Sequence, residues 1–165
     1  MASGARGILR WLLNWAPAAL AIAMIAGEST ATMSASDTSR WLLPIWVSLF
    51  GPITAAHWAV VHFFLRKSGH FIGYGLVSLA FFHGWRSSLS EDGDPRRLWR
   101  RSAAWALLCT LIVAAADECH QSLLPSRTGA IHDVVLDLCG GVAAQLLLRT
   151  LAPRLWRHSS LWAVL

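Results

Sequence analysis

The chain has 165 residues, of which 55% are hydrophobic and only 14% are charged, and ten are tryptophans. This composition excludes an ordinary water-soluble protein and predicts an integral membrane protein that forms a single domain over residues 1–165. The formal charge of +5 could indicate nucleic acid, but the basic residues interrupt apolar segments and form no basic face. We therefore expect no nucleic-acid partner.

The first predicted element is an apolar span over Ile8–Ala26. At ~1.5 Å per residue it is long enough to cross the ~30 Å hydrocarbon core of a bilayer. A signal peptide cleaved near Ser29–Ala31 is the alternative, since small residues follow the span there. We favour a retained span because the apolar stretch is longer than that of a typical signal peptide.

A polar loop is predicted over Glu28–Arg40, followed by two short apolar segments, Trp41–Phe50 and Pro52–Leu65. Gly51-Pro52 divides the two segments, because proline suits the start of a helix and ends what precedes it. Each segment is short for a membrane crossing and rich in Trp and His. They are therefore predicted to lie in the membrane interface, with a re-entrant hairpin as the alternative.

Three further spans are predicted, over Ser68–Trp85, Ser102–Gln121 and Ile131–Leu148. An arginine-rich hydrophilic loop, Arg86–Arg101, separates the first two of them. The predicted fold is thus all-α: a polytopic membrane bundle of about four transmembrane helices with one or two interfacial helices.

The distribution of Lys and Arg predicts the orientation. Ten of the fourteen lie in the N-terminal segment, the Arg86–Arg101 loop and the C-terminal tail. The positive-inside rule then places both termini in the cytoplasm. Arg66-Lys67 and the segment Asp117–Asp133 are consequently expected at the same outward-facing membrane surface.

Two smaller patterns concern packing and thiols. Gly69 and Gly73 form a GxxxG pair, and Gly140-Gly141 lies within the last span, so close helix contacts are expected at both. The three cysteines have no spacing typical of a zinc site or a disulfide framework, so free thiols are predicted, and a Cys119–Cys139 bridge has no support.

The second span carries Lys67, His70 and Tyr74 at intervals of three and four residues. This spacing places the three side chains on one stripe of an otherwise apolar helix. Individually, each is more often structural than functional. Together they predict a polar seam that faces the interior of the bundle.

The segment Asp117–Asp137 is the most polar part of the predicted bundle. A charged side chain near hydrocarbon costs roughly 2.5 to 3.5 kcal/mol on insertion scales, so such a cluster needs partners, water or a function. Asp117 and Glu118 are adjacent and cannot share one helix face. We expect one of them to line an inner cavity and the other to cap a neighbouring backbone or to meet Arg127.

The last span begins with His132-Asp133, and Asp137 follows one turn later. Asp133 is close enough to the helix N-terminus for a capping role, whereas Asp137 lies too deep for one. We predict that the polar residues of the last three spans line one shared binding pocket. Its predicted binding residues are Lys67, His70, Tyr74, Asp117, Glu118, Gln121, Arg127, Asp133 and Asp137.

Two segments carry a resemblance to a known family: Arg66–Tyr74 (RKSGHFIGY) and Asp117–Gly140 (DECHQSLLPSRTGAIHDVVLDLCG). In this order on consecutive spans, they closely resemble the VanZ-like family of small bacterial membrane proteins, with a motif core over about 66–141. Two positions depart from its usual pattern. Gly73 stands where many relatives carry an acid, which removes a partner for Lys67, and Asp137 stands where asparagine is frequent, which adds charge.

The resemblance implies a multi-pass protein of the bacterial inner membrane. The founding member of the family is associated with resistance to the glycopeptide antibiotic teicoplanin, so a link to that resistance is expected here. The resemblance implies no particular reaction, and it leaves the oligomeric state open.

Three functions fit the residues. The first is a binding module whose pocket holds a membrane lipid or a lipid-linked envelope component, with Lys67 and Arg127 as charge partners, since arginine binds phosphate through two nitrogens. The second is an intramembrane enzyme acting on a lipid or cell-wall precursor. The third is a structural polar network, or a proton or solute pathway.

The enzyme alternative has its own candidate residues. His70 or His120 would act as acid or base beside Asp117, Glu118 or Asp133, because histidine titrates near physiological pH. A divalent metal held by His70, Glu118 and Asp133 is a minor alternative, since HExxH and similar ligand spacings are absent. The sequence therefore predicts no metal and no cofactor.

Overall fold

A computed structural model describes residues 2–89 and 94–156, with side chains over 4–89 and 94–151. Within these ranges the chain contains no strand, and a short 3-10 turn over Ala31–Met33 joins the first two helices. The helices are α1 (Ala2–Glu28), α2 (Ala35–Phe50), α3 (Ala55–Ser88), α4 (Pro95–Ser122) and α5 (Ile131–Trp156). The all-α prediction is confirmed. Residues 90–93 of the predicted arginine-rich loop and Arg157 of the tail lie outside the described residues.

Three of the described helical segments are long and apolar enough to cross a membrane: Gly4–Glu28, Pro95–Ser122 and Ile131–Leu151. Helices α2 and α3 meet the same test only together, and they are bent by 107° at the break between them. If that bent pair forms one span, the described residues contain four candidate membrane spans. The prediction of an all-α membrane bundle is thus confirmed.

The break between α2 and α3 falls at the predicted Gly51-Pro52. Gly51 has φ +86°, which favours glycine, and the Thr54 side chain then caps α3 by accepting from the His57 N–H at 3.3 Å. The structure departs from the prediction after this point. The separate interfacial helix predicted over Pro52–Leu65 is continuous with the next span, because no proline or cap interrupts the chain before Ser88. At ~1.5 Å per residue, α3 is ~50 Å long.

Both predicted polar loops are shorter in the structure than in the prediction, because capping residues start helices inside them. The Ser34 side chain accepts from the Asp37 N–H at 3.3 Å, so α2 begins before the predicted loop ends. The Asp94 side chain accepts from the Arg96 N–H at 2.9 Å, so the first turns of α4 carry arginines that were predicted to be in a loop.

Helix α3 is the centre of the bundle and packs against α1, α4 and α5. Its inner face supplies Tyr74, Val77 and Phe81 to the core, where they meet small α4 residues such as Ala106 and Ala114. Large apolar side chains on the outer faces of the helices are exposed. This arrangement is the one expected of helices that contact each other through small residues and contact lipid through large ones.

Helices α3 and α5 approach each other closely at Gly140. A Cβ added there would overlap the Phe71 carbonyl oxygen, and one added at Gly75 would lie 3.3 Å from the Gly140 oxygen. The close contact predicted for α5 is confirmed. The contact predicted for Gly69 and Gly73 is wrong, because a Cβ at either position meets no described atom within 4 Å.

Gly140→Ala is expected to destabilise the protein by about 1–3 kcal/mol, since the added methyl group must push α3 and α5 apart. Gly73→Ala is the matched control, because a methyl group there meets no described atom and should increase stability slightly through its helix preference. Unfolding by SDS in mixed micelles measures both variants. Equal stabilities would contradict the close contact at Gly140.

Candidate functional site

Three side chains of α3 each face an acid on a neighbouring helix. We refer to the three pairs together as the polar ladder. Its members are Tyr74 with Asp117, His70 with Asp137, and Lys67 with Asp133. The α3 residues are the stripe predicted from the sequence, so the structure brings that stripe to the acids of α4 and α5.

The innermost pair is Tyr74 with Asp117. Tyr74 is 1% exposed, and its hydroxyl donates to Asp117 Oδ2 at 2.9 Å. Asp117 is also buried, so this bond joins α3 to α4 inside the bundle. A hydrogen bond between two buried groups is stronger than one exposed to water, and this one constrains the rotation of α3 against α4.

The middle pair joins α3 to α5. His70 Nδ1 lies 3.3 Å from Asp137 Oδ1, and the Asp137 side chain is completely buried. Asp137 is the residue that the sequence identified as too deep for a capping role. Its carboxyl group therefore lies beside a histidine inside the bundle.

The outermost pair is an ion pair between the Lys67 ammonium and Asp133 Oδ1. The two side chains are 24% and 13% exposed, and the ammonium also lies 5.6 Å from the centre of the Phe63 ring. Asp133 thus supplies the partner of Lys67 from α5.

Glu118 holds the connection between α4 and α5. Its Oε2 accepts from the Ala130 N–H at 2.7 Å, just before α5 begins. A Cβ at Gly129 would overlap the Glu118 carbonyl oxygen, so the turn can close only with glycine there. The predicted division between the two adjacent acids is confirmed, since Asp117 lines the interior and Glu118 caps a backbone.

Arg66 and Arg127 converge on one backbone carbonyl, and we refer to them as the arginine pair. Both guanidinium groups donate to the Met33 oxygen, Arg66 at 3.1 Å. Arg66 also donates to Thr38 Oγ1 at 3.1 Å, and Arg127 donates to Gln121 Oε1 at 3.3 Å. In the described parts of the chain, neither guanidinium has a carboxylate within 4 Å, so both are bound only to neutral oxygens.

Two cavities adjoin these residues. One is an open cleft of about 410 Å³, and the other is an inner space of about 20 Å³, which is room for one water molecule. The cleft is lined by both arginines and by Phe63, Lys67, His70, Gln121, Ser126, Thr128, His132 and Asp133, among others. His70, Gln121 and Arg127 also line the inner space, so the two cavities adjoin at these three residues.

His120 and the three cysteines, which the sequence analysis singled out, are not part of the polar ladder or the arginine pair. His120 is exposed, and its Nδ1 lies 2.9 Å from the Ser29 hydroxyl beyond the end of α1, so the structure does not bring it to the polar ladder. Cys109, Cys119 and Cys139 are free thiols, as predicted, and no Cys119–Cys139 bridge is present.

The sequence predicted that Arg66 lies at the same membrane surface as the segment Asp117–Asp133, but Arg66 was not included among the predicted binding residues. Its position next to Lys67, between apolar segments, was the available signal. The Met33 carbonyl could not have been found, because a backbone oxygen leaves no side-chain pattern in a sequence.

The comparison with known families agrees with these motifs. The model of the VanZ/LLP1 family matches residues 11–152, which include most of α1, the whole polar ladder and both arginines. No curated protein and no solved structure gives a significant match. The match covers most of the chain and confirms the resemblance found in its motifs: the chain belongs to the VanZ/LLP1 family.

Proposed function

We propose that this membrane protein binds the phosphate-bearing head group of a lipid, or of a lipid-linked envelope component, in the cleft at the arginine pair. The observation that carries the proposal is the convergence of Arg66 and Arg127 on one neutral carbonyl oxygen. Two like charges so placed repel each other, and an anion between them would remove that repulsion.

The charges that line the cleft support an anionic ligand. Lys67 is neutralised by Asp133, whereas the two guanidiniums have no acidic partner among the described residues. The cleft therefore has an excess of positive charge. A guanidinium presents several N–H groups in one plane and binds two phosphate oxygens at once, so two arginines suit a phosphate better than a single neutral acceptor.

The surface beside the cleft suits an acyl chain. Phe63 lines the cleft and is 54% exposed, and the neighbouring Val60 and Phe64 are 56% and 62% exposed on the same helix. Apolar side chains next to a cationic cleft match the two halves of a phospholipid. A free phosphate would use only the arginine pair.

The proposed location is the bacterial inner membrane. The protein would cross the bacterial inner membrane several times with both termini in the cytoplasm, as the positive-inside rule predicts, so that the cleft opens outward. A lipid-linked cell-wall intermediate held there would connect the cleft to teicoplanin susceptibility, which the family implies.

Arg66→Gln and Arg127→Gln test the proposal. Each protein is placed in phosphatidylcholine nanodiscs that contain phosphatidylglycerol or undecaprenyl phosphate, and native mass spectrometry counts the bound anionic lipid. Since a hydrogen bond to a charged group contributes about 1.5–3 kcal/mol, each variant should bind at least about tenfold more weakly. Competition by inorganic phosphate distinguishes recognition of the head group from recognition of the whole lipid.

Arg40→Gln is the matched control, because Arg40 lies on α2, is largely exposed and pairs with Asp37. It should bind lipid like the native chain, and Arg127→Lys should lie between the native chain and Arg127→Gln. Equal lipid binding by all variants would overturn the proposal. A chemically altered lipid that appears with the native chain but not with His70→Gln would support the enzyme alternative instead.

A further inference from the structure

Three side chains from three different helices meet beneath the cleft. His70 of α3, Glu118 of α4 and Asp137 of α5 each offer one ligand atom, and these atoms lie within 4.8 Å of one another. The two acids are 5% and 0% exposed. The group is thus a buried cluster of one imidazole and two carboxylates inside a membrane bundle.

Most of the polar atoms in this cluster lack a hydrogen-bond partner. His70 Nδ1, Glu118 Oε1 and both Asp137 oxygens are buried without one. His70 and Asp137 are close, at 3.3 Å, but are not aligned as a hydrogen bond. A buried polar group without a partner is costly, and a buried carboxylate more so, so this cluster of unpartnered atoms, with one ligand atom of each residue within 4.8 Å of the others, indicates a missing ligand.

The lysine of the polar ladder does not fill this role. Lys67 is bound to Asp133 at the outer end of the polar ladder. Glu118 uses its other oxygen, Oε2, for the Ala130 N–H, whereas its Oε1 is buried without a partner. Among the described residues, the only cationic or imidazole group within 4 Å of these two carboxylates is His70 itself, beside Asp137, so a bound cation would supply the partner that Glu118 lacks.

We propose that His70, Glu118 and Asp137 bind a divalent first-row transition cation such as Zn²⁺ or Mn²⁺. An imidazole nitrogen suits zinc and its neighbours, whereas carboxylates also suit manganese, and three protein ligands leave a position for water. Ligand atoms at ~2.0–2.2 Å from one ion are at most ~4.4 Å apart, which is close to the limit of 4.8 Å within which the three atoms lie. The site goes beyond the proposed head-group cleft and does not depend on it.

His70 connects this site to the two cavities. The His70 side chain lines both the cleft and the inner space, whereas Glu118 and Asp137 line neither. A cation there would have its carboxylate ligands inside the bundle and its imidazole ligand toward the cleft. It would also join α3, α4 and α5 through one centre, so metal binding should stabilise the fold.

The test measures metal content and thermal stability of the detergent-purified chain. Elemental analysis should find a first-row metal in the native protein. Treatment with EDTA should lower the melting temperature, and ZnCl2 or MnCl2 should restore it while MgCl2 and CaCl2 do not. Asp137→Asn and Glu118→Gln keep the side-chain shapes but remove a charge, so each should bind metal at least about tenfold more weakly and lose the response to Zn²⁺.

Asp37→Asn is the control, because Asp37 lies on α2 outside the cluster, and it should retain the metal and the full response. If Asp137→Asn folds poorly, His70→Gln removes a different metal ligand and tests the same site. The proposal is overturned if the native protein contains no metal and its melting temperature is unchanged by Zn²⁺ and Mn²⁺, or if Asp137→Asn binds metal as tightly as the native chain. Loss of lipid binding in the arginine variants is measured separately and does not affect this result.

Discussion

Lys67→Met is expected to destabilise the protein by about 3 kcal/mol, because it leaves the nearly buried Asp133 carboxylate with only the exposed His132 imidazole, 3.6 Å away, as a partner. Asp133→Asn should cost less. The side chain of Lys67 is the more exposed of the two, so its ammonium can turn toward water when its partner is removed. The double variant Lys67→Met with Asp133→Asn should recover about 2 kcal/mol relative to the sum of the single changes. SDS unfolding in mixed micelles measures all three variants.

The exposed ion pair of Arg40 and Asp37 provides the control. Its atoms are 3.7 Å apart and its side chains are 79% and 34% exposed, so Arg40→Ala should cost less than about 1 kcal/mol. If Lys67→Met costs no more than Arg40→Ala, the outermost pair of the polar ladder is not a stabilising contact. If Lys67→Met and Asp133→Asn destabilise the protein equally, the ion pair still stabilises the fold, but the Lys67 ammonium does not turn toward water as expected.

The polar ladder shows which part of the site could be read from the sequence. The intervals between Lys67, His70 and Tyr74 follow from the helical repeat, so their common stripe is predictable. Their partners are not, because Asp117, Asp133 and Asp137 all fit a pocket at the same surface. The choice depends on the rotation of α4 and α5 against α3, which close packing at Gly140 helps to set.

The helix boundaries show a similar limit. The break at Gly51-Pro52 was predictable, because a glycine at positive φ followed by proline interrupts any helix. The continuity of α3 across Arg66-Lys67 was not, since two cations within an apolar stretch also mark the end of a membrane span. In the structure, Arg66 donates to the Met33 carbonyl and Lys67 pairs with Asp133, so the helix continues with a partner for each cation.

The arginine pair depends on a contact with no sequence signal. Met33 belongs to the 3-10 turn after α1, and it receives both guanidiniums through its backbone oxygen. Any residue could supply that oxygen. Only the path of the chain between α1 and α2 brings it to α3 and to the connection before α5, and that path is a property of the whole fold.

Glu118→Met is expected to open the connection between α4 and α5 more often than Glu118→Gln does, although both variants remove the same carboxylate. Gln retains an oxygen that can accept from the Ala130 N–H, whereas Met leaves this amide without a partner, at a cost of about 2 kcal/mol. The segment that contains Arg127 should then open more often. We expect trypsin to cleave after Arg127 roughly 30-fold faster in the Met variant, if cleavage follows the equilibrium between closed and open forms.

This comparison isolates the backbone bond from the proposed metal site. Both variants lose the Glu118 carboxylate, so both should lose metal, and a difference between them cannot arise from the cation. Ser122→Ala serves as the control, because the Ser122 hydroxyl donates only to the Cys119 carbonyl on its own helix and lies on the exposed side of α4. Equal cleavage of the Met and Gln variants would show that the turn is closed by the tight approach at Gly129 rather than by Glu118.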